Sequence, residues 1–325
     1  MTENRILYLS QADVVSVGLG MAEIIELLEV AFNESGHGRI EMPPKPGIHP
    51  GEGDNFIHAM PAYIPALNSA GIKWVSGFPG NAKKGLPYIT GLLILNDPET
   101  GIPLAVMDCE WITAMRTAAA SAVSARRLAR PEAATLGVLG CGVQGFTNTE
   151  ALNVDFPIKE VFAFDLSEKS LALYTKKVQE QLGLKVTVVD SPDKAVKGCD
   201  LVVTAGPILK VPHKTIKAGW FEAGAFASLV DFDSYFEPAA LKEADKFCTD
   251  DLNQYKYYQS VGYFKDVPPV HADLGELVSG KKPGRESDTE RNIACNLGLA
   301  LDDMAVAPTI YQRAKEMGIG TWLPL

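Results

Sequence analysis

The sequence predicts an α/β protein of two domains, a parallel-sheet domain in the second half of the chain and an α+β domain ahead of it. Three observations carry that expectation. The chain has 325 residues, more than one hydrophobic core ordinarily organises. Its pattern changes at Arg130–Pro131, from strands in succession to strands alternating with helices. A glycine turn, VLGCGVQGF at residues 138–146, follows that change, with a long leader in front of it.

Composition narrows the classes further. Apolar residues make up 46% of the chain, enough for buried cores and too much for disorder. The net charge of −10 leaves no basic face to replace the counterions of a nucleic acid. The stretch MTENRILYLSQADVV has no basic segment followed by a long apolar run. No apolar segment approaches the roughly 20 residues that span a bilayer. Cys109, Cys141, Cys199, Cys248 and Cys295 are odd in number, scattered and without a C-x-x-C, so buried reduced thiols in a cytoplasmic protein are expected. His37, His49, His58, His213 and His271 form no ligand motif, and no metal is expected.

The elements follow in order. RILYL at residues 5–9 reads as a strand, and Ser10 with Asp13 reads as an N-cap with its reciprocal carboxylate. Met21–Ser35 carries Ile24, Ile25, Leu27, Leu28 and Ala31 at helical spacing. MPPKPGIHPGEGDN is a loop held extended by its X-Pro pairs. FIHAMPAYI, GIKWVSGF, YITGLLILND and PLAVMD read as strands, separated by turn sequences such as NDPETG. Residues 55–107 are therefore a mainly antiparallel sheet, and Trp111–Ala129 a long Ala-rich helix.

Beyond Arg130–Pro131 the strands TLGVLG, EVFAFD, KVTVVD, DLVVTA, GAFASLV and KFCTDD appear, with helices from about Val143, through Glu168–Leu182, and after KVTVVD. A last helix is expected from about Asp288 to Met317, returning to the first domain. The domains so drawn are residues 1–129, completed by 295–325, and residues 130–294.

Gly140, Gly142 and Gly145 spell G-x-G-x-x-G between an apolar strand and a helix. The first permits the tight turn, the second lets a pyrophosphate approach, and the third lets helix and strand pack closely. The helix opening through Val143 and Gln144 offers free N–H groups and a positive dipole end to phosphate. Asp165 ends the next strand, 20 residues after Gly145, where an acid hydrogen-bonds ribose hydroxyls. It would repel a 2′-phosphate, and Leu166 and Ser167 supply no cation. The turn therefore reads as a Rossmann-like site for NAD(H) rather than NADP(H).

The leader offers charged residues for a substrate. Lys73, inside the apolar GIKWVSGF, is either snorkelling at an edge or a buried, pKa-lowered group aimed at a carboxylate or imine. Arg116, among the small residues of ITAMRTAAASA, invites a bidentate anion contact, or else pairs with an acid elsewhere in the chain. Lys45 in the Pro-rich loop is a surface residue or a further cation of the site. His58 in FIHAMPAYI is a core histidine or a proton donor.

GIKWVSGFPGN, TGIPLAVMD, ITAMRTAAASAVSARRLA, VLGCGVQGF, ADLGELVSGKKPG and LGLALDDMAVAPTIY resemble the ornithine cyclodeaminase/μ-crystallin family over nearly the whole chain. The resemblance implies a dimer of two-domain subunits, with a Rossmann-like dinucleotide-binding domain plus an α+β substrate/dimerisation domain. Members act on amino or imino acids with NAD(P)(H). Lys73 matches the strand lysine that meets the substrate carboxylate or reacting centre. Arg116 matches the carboxylate-binding arginine, and Lys45 stands where the family usually has arginine. Asp233 falls near the aspartate that cyclodeaminases use at the deaminating carbon, with Asp231 competing for the role because Leu229, Val230 and Asp231 replace the usual A-V-G. His58 stands where ornithine cyclodeaminases carry a glutamate, which argues against ornithine. The resemblance thus implies an NAD(H)-dependent oxidoreductase for a small amino or imino acid, with Lys73 and Arg116 anchoring the carboxylate and Asp233, His58 or Asp231 relaying a proton. The alternatives are an ammonia lyase of the cyclodeaminase type that uses NAD+ catalytically, and a dinucleotide-binding protein without turnover.

Overall fold

The computed structural model describes residues 5–51, 53–209, 211 and 213–325. Glu52 of the expected Pro/Gly loop and residues 1–4 of the N-terminal stretch lie outside the described residues. The chain divides into two compact units, Met1–Arg116 with Leu299–Leu325, and Thr117–Gly298.

The first unit opens with β1 (Arg5–Leu9), α1 (Gln11–Ser16) and α2 (Met21–Gly36). Ser10 and Asp13 form the expected capping box, the Ser10 amide donating to the Asp13 carboxylate at 2.9 Å and the Asp13 amide to the Ser10 hydroxyl at 3.3 Å. In α2 the stripe Ile24, Ile25, Leu28, Ala31 and Phe32 is buried, as a period of 3.6 dictates. β2 (Gly47–Ile48), β3 (Phe56–Ile64), β4 (Ser69–Gly77), β5 (Ile89–Asn96) and β6 (Pro103–Asp108) follow, and α3 (Glu110–Leu128) leads out of the sheet. β2 to β6 pair antiparallel in sequence order, and β1 joins β6 in parallel. Met60, Lys73 and Leu93 stand opposite one another across β3, β4 and β5. All three are buried, whereas Trp74, one residue on, is 48% exposed. Side chains that alternate across a strand can sort only this way when one face is covered.

The second unit carries β7 (Thr135–Leu139), α4 (Val143–Asp155), β8 (Glu160–Phe164), α5 (Glu168–Lys177), β9 (Lys185–Val188), β10 (Leu201–Thr204) and β11 (Phe226–Leu229). It continues with α6 (Pro238–Leu241), β12 (Lys246–Thr249), α7 (Leu252–Ser260), β13 (Ala272–Asp273), α8 (Leu274–Val278) and β14 (Asn292–Cys295). The sheet order is β13-β12-β14-β11-β10-β7-β8-β9, and every pairing is parallel. From central β7 the chain steps outward to β8 and β9, then returns to the other side at β10. The carboxyl ends of β7 and β10 therefore flank a topological switch point, where open α/β sheets bind ligands.

The chain returns to the first unit as α9 (Ala300–Met317), which packs on β3 and β4, and as β15 (Thr321–Pro324), antiparallel to β1. The sheet there runs β15-β1-β6-β5-β4-β3-β2. One expectation is corrected. The last helix does not begin near Asp288, because Asn292–Cys295 is β14, seated between β11 and β12. A short apolar run buried on both faces reads the same at either period, and Gly298, at φ 74°, breaks the chain before α9 begins.

Candidate functional site

In the second unit the glycine turn is fixed by close approach. Gly140 has φ 98°, and a Cβ there would lie 2.6 Å from the Ala205 carbonyl. A Cβ on Gly145 would lie 2.2 Å from the Gly140 carbonyl oxygen. Gly142, the N-cap of α4, has no protein atom within 4 Å of its would-be Cβ, so its side faces open space. The first bond of α4 runs from the Phe146 amide to the Gly142 carbonyl, and the amides before it point out of the helix end. Val143 there is 65% exposed, and Gln144, part-buried, follows it. Asp165, at the end of β8, takes the Cys141 amide on one oxygen and the Ser167 amide on the other, both at 2.7 Å.

The two acids after β11 differ in environment. Asp231 is fully buried and accepts the Thr204 hydroxyl at 2.7 Å and the Gly206 amide at 3.0 Å. Burial pushes its carboxyl up to about 7. Asp233 pairs with the ammonium of Lys214 at 2.9 Å, and its own backbone carbonyl accepts that ammonium too. Phe232 between them has φ 61°, a costly conformation for a bulky residue. Its ring is held edge-on to Tyr258 at 4.8 Å.

In the first unit Lys73 and Arg116 come together around acids from α9. β4 lies between β3 and β5, and Lys73 is 0% exposed, so it does not snorkel. Its ammonium lies 2.6 Å from Asp303 Oδ2 and donates to Asp303 Oδ1 at 2.8 Å and to the Thr113 hydroxyl at 3.3 Å. Arg116, 4% exposed, places Nε 3.2 Å from Asp303 Oδ1 and Nη1 3.2 Å from Asp302 Oδ2. Arg116 therefore has the internal acid partners that one reading of its sequence context called for.

Burial and the Arg116 guanidinium lower the Lys73 pKa, and Asp303 opposes them. Burial pushes Asp302 up to about 6 against the pull of Arg116. His58 is driven down to about 3 by burial and then by the charges of Lys45, His49 and Lys73. It is therefore uncharged at neutral pH, stacked on Phe56 at 4.4 Å. Lys45 is buried, not a surface residue. The structure thus gathers Lys73 and Arg116 within the first unit, with Lys45 and His58 inside the same field, and places the glycine turn, Asp165, Asp231 and Asp233 in the second.

The family model for the ornithine cyclodeaminase/mu-crystallin family matches residues 6–318. The chain belongs to this family. An alanine dehydrogenase of Archaeoglobus fulgidus is 37% identical over 324 residues, 97% of this chain and 97% of its own. The solved Δ1-pyrroline-2-carboxylate reductase of Thermococcus litoralis, in complex with NADH and L-proline, is 31% identical. It has a TM-score of 0.89, with 97% of this chain and 99% of that chain covered. An archaeal alanine dehydrogenase dimer with bound NAD is 36% identical, with a TM-score of 0.87 and coverage of 98% and 99%.

Against this cyclodeaminase/crystallin background the sequence reading missed Asp302, Asp303, Thr113 and Lys214. Two adjacent acids inside the apolar run LALDDMAVA were the available signal, since buried charges are almost always paired. Among the described residues no group of three or more His, Cys, Asp or Glu is arranged to hold a metal ion. No described helix is long and apolar enough to cross a membrane.

Proposed function

We propose that this family member is an NAD(H)-dependent oxidoreductase acting on a small amino or imino acid. The buried Lys73–Asp303–Arg116 cluster carries the proposal. It brings two cations together on Asp303, with Asp302 on the far side of the guanidinium, and paired cations of this kind are what grip a small carboxylate. The relatives add the substrate class, since those described above are an alanine dehydrogenase and a reductase held with NADH and L-proline.

The unit Thr117–Gly298 takes the dinucleotide, and the glycine turn fits it. Gly140, Gly142 and Gly145 leave backbone free to approach a pyrophosphate, and the opening of α4 through Val143 and Gln144 faces its charge. Each Asp165 oxygen keeps a further lone pair for ribose hydroxyls after taking its backbone amide. Held there, the nicotinamide would supply the hydride acceptor, or in its reduced form the donor, for a carbon bearing nitrogen. The chain supplies the rest. Lys73, Arg116 and Lys45 hold the carboxylate. A substrate ammonium must release a proton before its carbon can lose hydride. His58, which burial and the charges of Lys45, His49 and Lys73 keep neutral, is one candidate to take it, and an arriving carboxylate would offset the part of that suppression that the cations cause. Asp233 and Asp231 are the other candidates for that proton.

The first unit also forms a homodimer. Tyr8, Tyr63, Trp74 and Leu92 are exposed on the sheet face opposite Lys73, an apolar patch of the kind a second copy covers. The archaeal alanine dehydrogenase described as a dimer supports that occupant. The five unpaired, buried cysteines suit a cytoplasmic location.

A substrate screen on NADH absorbance in both directions tests the proposal, with L-alanine, Δ1-pyrroline-2-carboxylate, and 2-oxo acids plus amines. Turnover of one of these is expected. Ammonia release from ornithine or lysine without net NADH would replace the proposal with the lyase. Tight NADH binding with no turnover on the whole panel would leave a binding protein.

A further inference from the structure

The substrate reading above asks Lys73 and Arg116 to meet one carboxylate, and the inference here rests on it. Two cations held in a buried site repel each other and, unguided, adopt no fixed spacing. The fold answers with a single side chain. Asp303 spans both, 2.6 Å from the Lys73 ammonium through Oδ2 and 3.2 Å from the Arg116 Nε through Oδ1. It is itself fully buried and comes from the first turn of α9. Asp302 beside it engages Arg116 through Nη1 and is tied back to the Leu299 amide at 3.0 Å. The two acids thus divide the guanidinium between them, but Asp303 alone of the pair reaches the ammonium.

We propose that Asp303 is a positioning residue for substrate recognition, setting the spacing of Lys73 and Arg116 and keeping Lys73 charged so that the two together receive one carboxylate. The other groups around Lys73 do not do this. Arg116 and Lys45 are cations, and His58 is uncharged at neutral pH. The Cys109 thiol, whose pKa burial pushes up to about 11, is protonated. Asp302 takes Arg116 and the Leu299 amide on Oδ2, on the guanidinium side of the cluster. Without the Asp303 charge, burial and Arg116 act on Lys73 with less opposition, and Lys73 loses its proton at a lower pH.

The test compares Asp303→Asn and Asp303→Glu with the parent in the full chain loaded with NADH. Pyruvate is titrated calorimetrically as the carboxylate probe from about pH 6 to about pH 9. In Asp303→Asn the pH above which pyruvate affinity is lost moves down by about one unit or more. In Asp303→Glu, which keeps the charge and shifts it outward, that pH stays put while affinity falls about tenfold, the scale of a charged hydrogen bond. NADH fluorescence reports whether each variant is folded, and a merely structural acid would leave the pH profile unmoved. A folded Asp303→Asn with the parental profile overturns the proposal. Should the Asn variant fail to fold, Asp303→Glu decides, and parental affinity there overturns it. Parent protein that binds no pyruvate, or Lys73→Ala that binds it undiminished, removes the substrate reading and the proposal with it. Parental binding that depends on Lys73 but ignores Asp303 removes the proposal alone.

Discussion

Asp165 accepts the Cys141 amide at 2.7 Å, so the acid at the end of β8 is fastened to the glycine turn that follows β7. Its carboxylate is held where it serves that turn and has capacity left for a ribose. In the proposed cofactor site, replacement by Asn removes the charge that would repel a 2′-phosphate. Asp165→Asn is expected to weaken NADH about tenfold, the cost of a charged hydrogen bond, and to narrow the preference for NADH over NADPH. Fluorescence titration with both dinucleotides checks this, and an unchanged ratio would remove Asp165 from cofactor selection.

Gly145→Ala places a methyl 2.2 Å from the Gly140 carbonyl oxygen. Backbone atoms on both sides cannot yield without opening the turn. A stability loss of about 1–3 kcal/mol is expected, the usual range for overpacking, together with weaker NADH binding. Urea denaturation and dinucleotide titration measure the two effects.

Lys73→Met leaves Asp303 with Arg116 as its remaining cation. Stranding a buried partner costs about 3–5 kcal/mol, and the Arg116 contact should hold the loss toward the lower end. Adding Asp303→Leu should recover part of that loss while turnover stays abolished. A double-mutant cycle in urea gives the coupling, and additive stabilities would mean the pair does not interact.

Asp231 sets a pH dependence of stability. Its carboxyl is raised to about 7 in the folded chain, above the unfolded value, so the native state holds the proton more tightly. Its contribution is complete below about pH 4 and is lost as pH climbs toward 7, up to about 4 kcal/mol across that window. Asp231→Asn, which can still bond Thr204 and Gly206, should flatten the decline. Denaturation at a series of pH values tests it, and parallel slopes would show that Asp231 does not titrate there.

Trp74→Glu puts a charge on the exposed face of the first sheet, where Trp74 stands opposite Leu92. If a second copy covers that face, sedimentation velocity should show the dimer of the parent converted to monomer, with NADH binding retained. A monomeric parent would dispose of the interface.

What was legible in the sequence was what local sterics decide. The glycine turn is read from three residues whose neighbours forbid a Cβ at two of them, and the antiparallel strands from their alternation. Ser10 and Asp13, three positions apart, announced a capping box. What was not legible depends on distant partners. Asp303 is 230 positions from Lys73, and nothing in GIKWVSGF says which acid will neutralise its lysine. Asn292–Cys295 looked helical because its place between β11 and β12 buries both faces and erases the period.

Because α9 brings Asp302 and Asp303, the charge cluster depends on a segment made after the entire second unit. A nascent chain leaving the ribosome presents Lys73 and Arg116 long before residues 300–317 exist, whereas the parallel sheet can close once β14 has emerged. Premature termination before Ala300 yields a product in which Lys73 and Arg116 lack the carboxylates of Asp302 and Asp303, the kind of destabilised chain that cellular proteases clear.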